Sequence, residues 1–427
     1  MDPIQFLLGL EPLGMKFGLE NMRRICEALD HPERAFRSLI IAGTNGKGSV
    51  TAMLSASLHA AGRRAARYTS PHLTRLEERF VIGEADVSTG DLRDAAAEVQ
   101  TAVARLLETG VLGAPPTFFE CTTAAAFVLF RQARIELAVL EVGLGGRLDA
   151  TNVVTPIAAA ITSIGLDHQA LLGSTLAEIA REKAGVVKPG IPVVAGPLAP
   201  EAGAVVEEVC RQQGARLVRV GREVHVTPEL DADGRTRVSI ETARRRLTGI
   251  PLALAGRHQA YNAAVAVAVL DELVALGVAI EDPAVVSGLT AARWPARLER
   301  FRRDGCDVLL DAAHNPDGAR ALAAHLREIG WTDVTLLFGA MRDKDVRGML
   351  GELLPLCGRI VCTTAPGARA LEADAIAEAA RDAGTPASVE TVAAPEDALA
   401  RACAGPGGRV VATGSIFLIG PLRGILR

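Results

Sequence analysis

A lysine inside a glycine-rich turn is the feature of this sequence that points most directly to chemistry. The turn lies in AGTNGKGSV, residues 42–50, between an apolar segment and a segment with helical spacing. In such a turn the backbone N–H groups and the helix N-terminus bind phosphate oxygens, while Lys47 adds a charge and Ser49 a hydroxyl near a metal. The spacing differs from the common phosphate loop, because Ile41 replaces its first glycine and Gly48 separates Lys47 from Ser49. The pattern predicts a phosphate loop of another kind, and the alternative is a turn that only joins a strand to a helix.

Two more polar clusters follow apolar segments of the kind that form buried strands. Glu141 begins EVGLGGRLDATN, and His168 lies in SIGLDHQALLGS just after the next strand candidate. The carboxyl ends of parallel strands meet at one edge of an α/β sheet, where ligands bind. Glu141 could therefore hold magnesium, although charged residues often only cap strands. A lone histidine is more often structural, but its place beside the Glu141 strand favours a role for His168.

The helix after His168 carries a lysine without an evident partner. Thr175-x-x-Glu178 is a capping box that begins this helix, and Lys183 follows about two turns along. From these residues alone, Lys183 is interpreted as a solvated surface lysine.

The same design recurs in LLDAAHNPDG, residues 309–318. Asp311 and His314 lie at the end of a strand candidate, and Asn315-Pro316 is typical of a helix start. A nucleotide held between two sheet edges would explain why both parts of the chain carry polar residues at strand ends.

The elements that must position these residues form a regular alternation of strands and helices. Such alternation predicts an α/β fold with parallel sheets covered on both faces. Residues 217–254 interrupt it with a predicted hairpin around Asp233-Gly234, and Pro295 ends the helical region before the alternation restarts. We therefore predict an N-terminal unit, residues 1–294, with a phosphate-loop-type parallel sheet, and a smaller Rossmann-like α/β C-terminal unit, residues 295–427. The predicted strands are 38–42, 65–69, 137–142, 157–163, 192–195, 306–311, 334–339, 359–364 and 409–414.

Composition narrows the class of protein. The chain has 427 residues, enough for two or more domains, and its 49% hydrophobic content argues against disorder. A formal charge of -4 lacks the basic excess that nucleic-acid binding requires. No apolar stretch reaches the roughly 18 residues of a membrane span, and the start lacks a signal-peptide pattern. We expect a cytoplasmic, monomeric protein with small-molecule substrates and without nucleic-acid or membrane partners.

Ten motifs in order along the chain resemble the folylpolyglutamate synthase and dihydrofolate synthase family of the Mur ligase superfamily. They are GTNGKGS, YTSPHL, TFFE, EVGLGGRLDATN, GLDH, EKAGVVKPG, GRHQAYN, WPARLE, DAAHNP and TGSIFLIG. The superfamily's phosphate loop has the form G-T-N-G-K-G-[ST], so the spacing at residues 43–49 is the family's own. One departure is Ala312, where the family usually has glycine, and we expect only a local backbone adjustment there.

The resemblance implies a role for each matching residue. An ATP site would be formed by Asn45, Gly46, Lys47, Gly48 and Ser49, with Asn262, Arg297 and Asp311 contributed from the junction of the two units. Magnesium would be held by Ser70, Glu141 and His168. The pterin-bearing substrate is expected near Thr117, Phe118, Phe119, Glu120, Leu148, Asp149 and Ala150, and the incoming glutamate near His314 and Ser415. Lys183 matches a lysine that family members carry as a carbamate, so Lys47, Lys183 and His314 are the expected catalytic residues.

The implied reaction joins L-glutamate to a pteroate or folate carboxylate at the expense of ATP, through an acyl phosphate. Two alternatives remain from the residues. A Mur-type ligase making a peptidoglycan precursor is disfavoured by TFFE, TSPHL and EKAGVVKPG. A regulatory ATP-binding module without ligase activity would bind or hydrolyse ATP without needing both other substrates. The sequence leaves open whether dihydropteroate, a reduced folate or both are accepted.

Overall fold

Two sheets of mainly parallel strands form the framework of the protein, and a small antiparallel sheet follows the first of them in the chain. The structure is a computed structural model that describes residues 1–11, 14, 16, 18–231, 234–384, 387–405 and 407–427. The α/β class expected from the alternation is confirmed.

The first sheet has eight strands in the order β4-β3-β2-β5-β1-β6-β7-β8. Neighbours from β2 to β8 in this order are parallel, while β3 and β4 form an antiparallel edge. The strands are β1 (Arg37–Ala42), β2 (Ala65–Tyr68), β3 (Phe80–Ile82), β4 (Ala85–Asp86), β5 (Leu137–Glu141), β6 (Ala158–Ile161), β7 (Pro192–Ala195) and β8 (Arg216–Arg219).

Helices cover both faces of this sheet, so its central strands contain continuous apolar runs, such as Leu39 to Ala42 in β1 and Leu137 to Leu140 in β5. In β5, Leu137 and Val139 face a core shared with α3, α9 and α10, whereas Ala138 and Leu140 face a core shared with α1, α2, α4 and α5. The helices are α1 (Pro3–Leu8), α2 (Glu20–Ala28), α3 (Lys47–Ala60), α4 (Thr89–Glu108), α5 (Phe118–Gln132), α6 (Gln169–Leu172), α7 (Leu176–Ala184), α8 (Pro200–Gln212), α9 (Arg257–Ala275) and α10 (Asp282–Ala291).

The small sheet contains β9 (His225–Leu230), β10 (Thr236–Glu241) and β11 (Arg246–Pro251) in the order β11-β10-β9. Its strands are antiparallel, as the sequence indicated for this region. Asp233 of the predicted hairpin turn lies outside the described residues. Val238 and Ile240 of the central strand join the core of the first sheet, which explains the apolar alternation of this segment.

The second large sheet has the order β12-β13-β17-β14-β15-β16, with β12 as its antiparallel edge. Its strands are β12 (Glu299–Arg303), β13 (Cys306–Leu310), β14 (Val334–Phe338), β15 (Cys357–Cys362), β16 (Ser388–Thr391) and β17 (Arg409–Thr413). One face packs on α11 (Pro316–Glu328), α12 (Val346–Leu353) and α13 (Ala373–Asp382), and the other on α14 (Pro395–Cys403) and α15 (Ile416–Leu426).

The nine strands predicted from the sequence are all present. Those that were not predicted, β3, β4, β8, β12 and β16, lie at or next to the edges of the two large sheets. β4, β8, β12 and β16 are more exposed and lack a continuous apolar run, whereas β3 is apolar and largely buried but only three residues long. The boundary near residue 295 falls between α10 and β12 and stays a proposal. Among the described helices, none is both long and apolar enough to cross a membrane.

Candidate active site between the two sheets

The strand order brings the predicted polar residues of the N-terminal unit to one edge. Strands β2, β5, β1 and β6 are neighbours, and all four run in the same direction. Ser70 follows β2, Glu141 ends β5, the glycine loop follows β1, and His168 follows β6. Four segments that are distant in sequence therefore meet at the carboxyl ends of adjacent strands.

The glycine loop has a backbone that requires glycine at two of its turns. Gly43 has φ 148° and Gly46 has φ 88°, and Gly46 is the N-cap of α3. A Cβ atom at Gly46 would lie 2.4 Å from Asn262 Oδ1, and one at Gly48 would lie 2.1 Å from a ring carbon of Trp294. Asn262 thus lies against the loop, as expected, and Trp294 is a loop contact that the sequence did not indicate.

Two lysine ammonium groups meet at one carbonyl oxygen of this loop. Lys47 Nζ donates to Gly43 O at 3.1 Å and to Thr44 O at 3.2 Å, and Lys183 Nζ donates to the same Gly43 O at 2.9 Å. Burial lowers the pKa of Lys47, against the opposing charges of Glu141 and other carboxylates. Burial, followed by the charge of Lys47, lowers the pKa of Lys183 to about 7. Lys183 is therefore partly neutral near neutral pH.

The interpretation of Lys183 as a surface lysine is wrong. Lys183 is buried, with only 5% of its surface exposed. The reason is tertiary: α7 packs so closely on the loop after β5 that a Cβ atom at Gly146 would lie 2.7 Å from Lys183 O. From this position Lys183 Nζ reaches Gly43 O in the loop after β1.

The expected metal ligands are compatible with a divalent cation. Glu141 is buried, accepts a hydrogen bond from Ser70 N at 3.2 Å, and has a pKa raised by burial to about 7. Burial and the charge of Lys344 lower the pKa of His168, which favours the neutral imidazole that binds metals. Within the described part of the chain no cluster of three or more His, Cys, Asp or Glu residues suited to a metal occurs. Mg²⁺ commonly combines few protein ligands with substrate phosphates, so this set fits a metal that arrives with a nucleotide.

The C-terminal unit presents its own polar strand ends. Asp311, buried after β13, accepts hydrogen bonds from Leu298 N at 3.0 Å and Ala313 N at 2.9 Å, and burial raises its pKa while the charge of Arg297 opposes this rise. Ala312 replaces the family's glycine without a left-handed φ, and its N–H donates to Ala296 O at 2.9 Å.

His314 and Ser415 lie at the ends of neighbouring strands of this sheet. Burial, with the charge of Lys344, lowers the pKa of His314 to about 4. Its Nδ1 donates to Ala312 O at 2.9 Å, since a carbonyl oxygen only accepts, and Nε2 is then the acceptor nitrogen. Ser415 is the N-cap of α15, and its Oγ accepts from Phe417 N at 3.2 Å.

A hydrogen-bonded network joins the two units at this site. Asn45 of the glycine loop and Asn315 form a reciprocal amide pair, with Nδ2-to-Oδ1 distances of 3.1 and 3.0 Å. Asp167 accepts from Asn315 Nδ2 at 3.1 Å and from Lys344 Nζ at 2.6 Å. Burial raises the pKa of Asp167, but the charges of Lys344, His314 and His168 outweigh it and hold the pKa well below its usual range. Asp167 and Lys344 were missed, although each lies in the loop that follows a predicted strand.

An aromatic group lies at the start of α5, where the pterin is expected. Phe119 is 5.9 Å from the Tyr68 ring and packs on Gly143, and Arg79 lies 5.0 Å above the Phe118 ring. Thr117 and Glu120 form a capping box, in which Glu120 Oε2 accepts from Thr117 N at 2.7 Å. The other oxygen of Glu120, Oε1, is buried without a hydrogen-bond partner among the residues that the structure describes.

The segment expected to line the same site is organised by Asp149. Asp149 Oδ2 accepts from Leu144 N at 2.9 Å, and Oδ1 accepts from Thr151 N at 3.0 Å. Ala150 is buried, whereas Leu148 is half-buried. The Asp149 carboxylate therefore shapes the loop, and the exposed part of this segment comes from Leu148.

Two family models divide the chain in the same way as the two large sheets. Residues 41–270 match the Mur ligase middle domain, and residues 296–416 match the Mur ligase glutamate ligase domain. The fold and the site thus define a Mur-type ligase.

Curated relatives narrow this class. A dihydrofolate synthase/folylpolyglutamate synthase of Bacillus subtilis is 34% identical over 355 residues, which cover 82% of each chain. A probable bifunctional folylpolyglutamate synthase/dihydropteroate synthase of Haloferax volcanii is 35% identical over 99% of this chain, but the chain spans only 50% of that protein's length.

Solved structures agree with these relatives. Mycobacterium tuberculosis folylpolyglutamate synthase, complexed with ADP and AMPPCP, superposes with a TM-score of 0.92 at 34% identity, covering 100% of this chain and 99% of the other. A bifunctional folylpolyglutamate synthase/dihydrofolate synthase with Mn, AMPPNP and L-glutamate bound has a TM-score of 0.86 at 32% identity, covering 100% and 98%. The chain belongs to the folylpolyglutamate synthase/dihydrofolate synthase family.

Proposed function

We propose that the protein is an ATP-dependent amide ligase that adds L-glutamate to dihydropteroate, to the γ-carboxylate of reduced folates, or to both. The reaction would release ADP and phosphate. The observation that carries the proposal is the direct contact of Asn45, in the glycine loop, with Asn315, beside His314 at the edge of the second sheet. A nucleotide on the loop would therefore lie next to the residues expected to receive glutamate.

The chemistry explains why two units must meet. A carboxylate is a poor electrophile, so the γ-phosphoryl group of ATP is first transferred to it, giving an acyl phosphate. The glutamate amine then displaces phosphate and forms the amide bond. The acyl phosphate must be kept from water between the two steps, which a closed junction between the units would achieve.

For the nucleotide, we assign the phosphates to the loop from Asn45 to Ser49. Lys47 folds back onto loop carbonyls and would turn to the transferring phosphoryl group to neutralise its charge. Asn262 packs on the loop, and Arg297 lies close enough to Asp311 and Glu141 to affect the pKa of both. These contacts support a nucleotide held from both units.

We assign Mg²⁺ to Ser70, Glu141 and His168. When bound, the cation would neutralise phosphate charge during transfer. A buried Glu141 carboxylate with a raised pKa supports this assignment, because a nearby cation would hold it ionised. The related structure with Mn, AMPPNP and L-glutamate contains a divalent metal together with a nucleotide.

The proposed pterin site combines rings with a free acceptor. Phe118 and Phe119 would offer stacking surfaces to a flat heterocycle, and the unpartnered Oε1 of Glu120 would accept from its N–H groups. Thr117, Leu148, Asp149 and Ala150 would shape this pocket.

His314 and Ser415 are the proposed glutamate contacts. The neutral His314 ring, with Nδ1 committed to Ala312, would present Nε2 as an acceptor to the incoming amine. Lys183 would carry a carbamate, which requires a neutral amine, and its lowered pKa supports this chemistry.

A phosphate-release assay tests the function. With ATP present, phosphate release should require both L-glutamate and a pterin-bearing acceptor, either dihydropteroate or tetrahydrofolate. Release without both would favour a regulatory ATPase, and release only with peptidoglycan precursors would favour the other Mur ligases. Cytoplasmic location and a monomeric state remain part of the proposal.

A further inference from the structure

A buried polar network crosses the junction and includes two residues without an assigned role. Both carboxylate oxygens of Asp167, in the N-terminal unit, are engaged by the C-terminal unit. Oδ1 accepts from Lys344 Nζ at 2.6 Å, and Oδ2 accepts from Asn315 Nδ2 at 3.1 Å. The side chains of Asp167 and Lys344 are each only 9% exposed.

Asn315 connects this ion pair to the phosphate loop. Its Nδ2 donates to Asn45 Oδ1 and to Asp167, while its Oδ1 accepts from Asn45 Nδ2 and from Gly318 N at 2.9 Å. All four hydrogen bonds are made by the side-chain amide of Asn315, and this residue is only 2% exposed. A fully satisfied buried network of this kind permits one arrangement of its members, because any shift would leave a polar group unpaired.

The loop side of the network is equally constrained. Asn45 N donates to Ser163 Oγ at 2.9 Å, and Asn45 O accepts from Thr162 Oγ1 at 2.6 Å and from Ser163 Oγ at 3.0 Å. The backbone of Asn45 is therefore held by the first sheet while its side chain is held by the second unit. A displacement of the C-terminal unit would be transmitted to the phosphate loop.

We propose that Lys344 is a positioning residue for the ligation, which acts through Asp167 and Asn315 to hold the C-terminal unit in register with the phosphate loop. In this register Asp311 and His314 face the nucleotide. Lys344 has no contact with substrate in this role. The inference rests on the proposed function, since it names a further residue for that reaction.

The energetics support this placement. Removing one partner from a buried ion pair leaves the other charge unpaired, which costs far more than the pair itself contributes. A misplacement of about 1 Å between reacting groups can lower the rate about 100-fold. Loss of Lys344 should therefore reduce turnover by loosening the junction.

The first experiment is a double-mutant cycle with Lys344→Met and Asp167→Asn. Each single variant should lower kcat about 10- to 100-fold, and the double variant should be no slower than the slower single one. Lys344→Arg should recover part of the lost kcat. The matched control is Arg347→Met, which removes an exposed ion pair with Asp382 inside the C-terminal unit and should keep wild-type turnover.

Small-angle X-ray scattering supplies a readout that does not depend on activity. AMPPNP with Mg²⁺ should compact the wild-type protein and Arg347→Met, and should compact Lys344→Met and Asp167→Asn less. Independent effects of the two substitutions, or a raised KM for glutamate with unchanged kcat and compaction, would overturn the positioning role. If the wild-type protein lacks glutamate-dependent phosphate release, the proposed function fails, while scattering still decides whether the network controls the junction.

Discussion

At the scale of single residues, burial of charge is the dominant feature of the site. Lys47 and Lys183 donate to the same carbonyl oxygen, and both have lowered pKa values because burial disfavours the ammonium form. The opposite shift at Glu141 has the same cause. A site with two lysines of lowered pKa and a carboxylate of raised pKa is suited to receiving phosphate groups and a metal, which supply the missing charge partners.

We expect Lys47→Ala to lower kcat by at least about 100-fold, because a preorganised charge on the transferring phosphoryl group is lost. The variant should fold, since the ammonium group of Lys47 is bonded only to carbonyls of its own loop in the hydrogen bonds described, those of Gly43 and Thr44. Phosphate release and circular dichroism check both parts. Lys188→Ala is the control, because its ammonium also donates to a backbone carbonyl, that of Asn152. Near-normal activity of Lys47→Ala would refute the phosphate-loop assignment.

Lys183→Ala should be folded and about 100-fold less active if Lys183 carries a carbamate that helps to place the metal. Acetate or formate should partly restore its turnover by occupying the vacated anion position, whereas the same salts should leave Lys47→Ala unchanged. Intact mass measured without acid should show the adduct on the wild-type protein. Full activity of Lys183→Ala would remove this residue from the mechanism.

At the scale of elements, helix starts position the substrate contacts. The capping box of α5 holds Phe118 and Phe119 at the first turn, and the capping box of α7 begins the helix that buries Lys183. The two boxes have the same chemistry in different surroundings. Thr117 and Glu120 are buried, whereas Thr175 and Glu178 are exposed.

This difference predicts unequal costs for the same substitution. Thr117→Ala should lower the free energy of unfolding by about 1–2 kcal/mol, since it leaves the buried Glu120 carboxylate short of a donor. Thr175→Ala should cost about 0.5–1 kcal/mol, because water replaces the lost hydroxyl at the exposed cap. Urea denaturation of both variants measures the difference. Equal losses of unfolding free energy in the two variants would show that burial of the α5 cap does not add to its contribution to stability.

At the scale of the whole molecule, the site exists only where two sheets meet. The first sheet supplies the phosphate loop, and the second supplies Arg297, Asp311 and His314. Residues of the second sheet, although far from the phosphate loop in sequence, should therefore affect the KM for ATP.

Arg297→Ala and Asp311→Asn should each raise the KM for ATP about tenfold, which corresponds to about 1.4 kcal/mol. The physical reason is that a nucleotide held between the units would lose a contact supplied by the C-terminal unit. Steady-state kinetics with varied ATP measures the effect. The control is Arg300→Ala on β12, whose guanidinium lies 5.6 Å above the Trp331 ring. An unchanged KM in both site variants would exclude a nucleotide shared by the two units.

The sequence by itself determined the local features of this protein. Apolar runs predicted the buried parallel strands, and the glycines at 43 and 46 marked backbone turns that other residues adopt poorly. Because the carboxyl ends of parallel strands share an edge, the sequence also predicted which residues would gather there: the glycine loop, Glu141, His168, Asp311 and His314. The strands and turns depend on neighbours within a few positions along the chain, and the shared edge follows from the strands being parallel.

Only the tertiary structure decided the features that depend on strand order and helix packing. Lys183 reaches Gly43 across 140 residues, and Asn45 reaches Asn315 across 270. No local pattern distinguishes a lysine that ends buried in such a contact from one that stays in water, so Lys183 was misread and Lys344 was missed. The physical reason is that burial, and with it the pKa of a charged group, is set by whichever element packs against it.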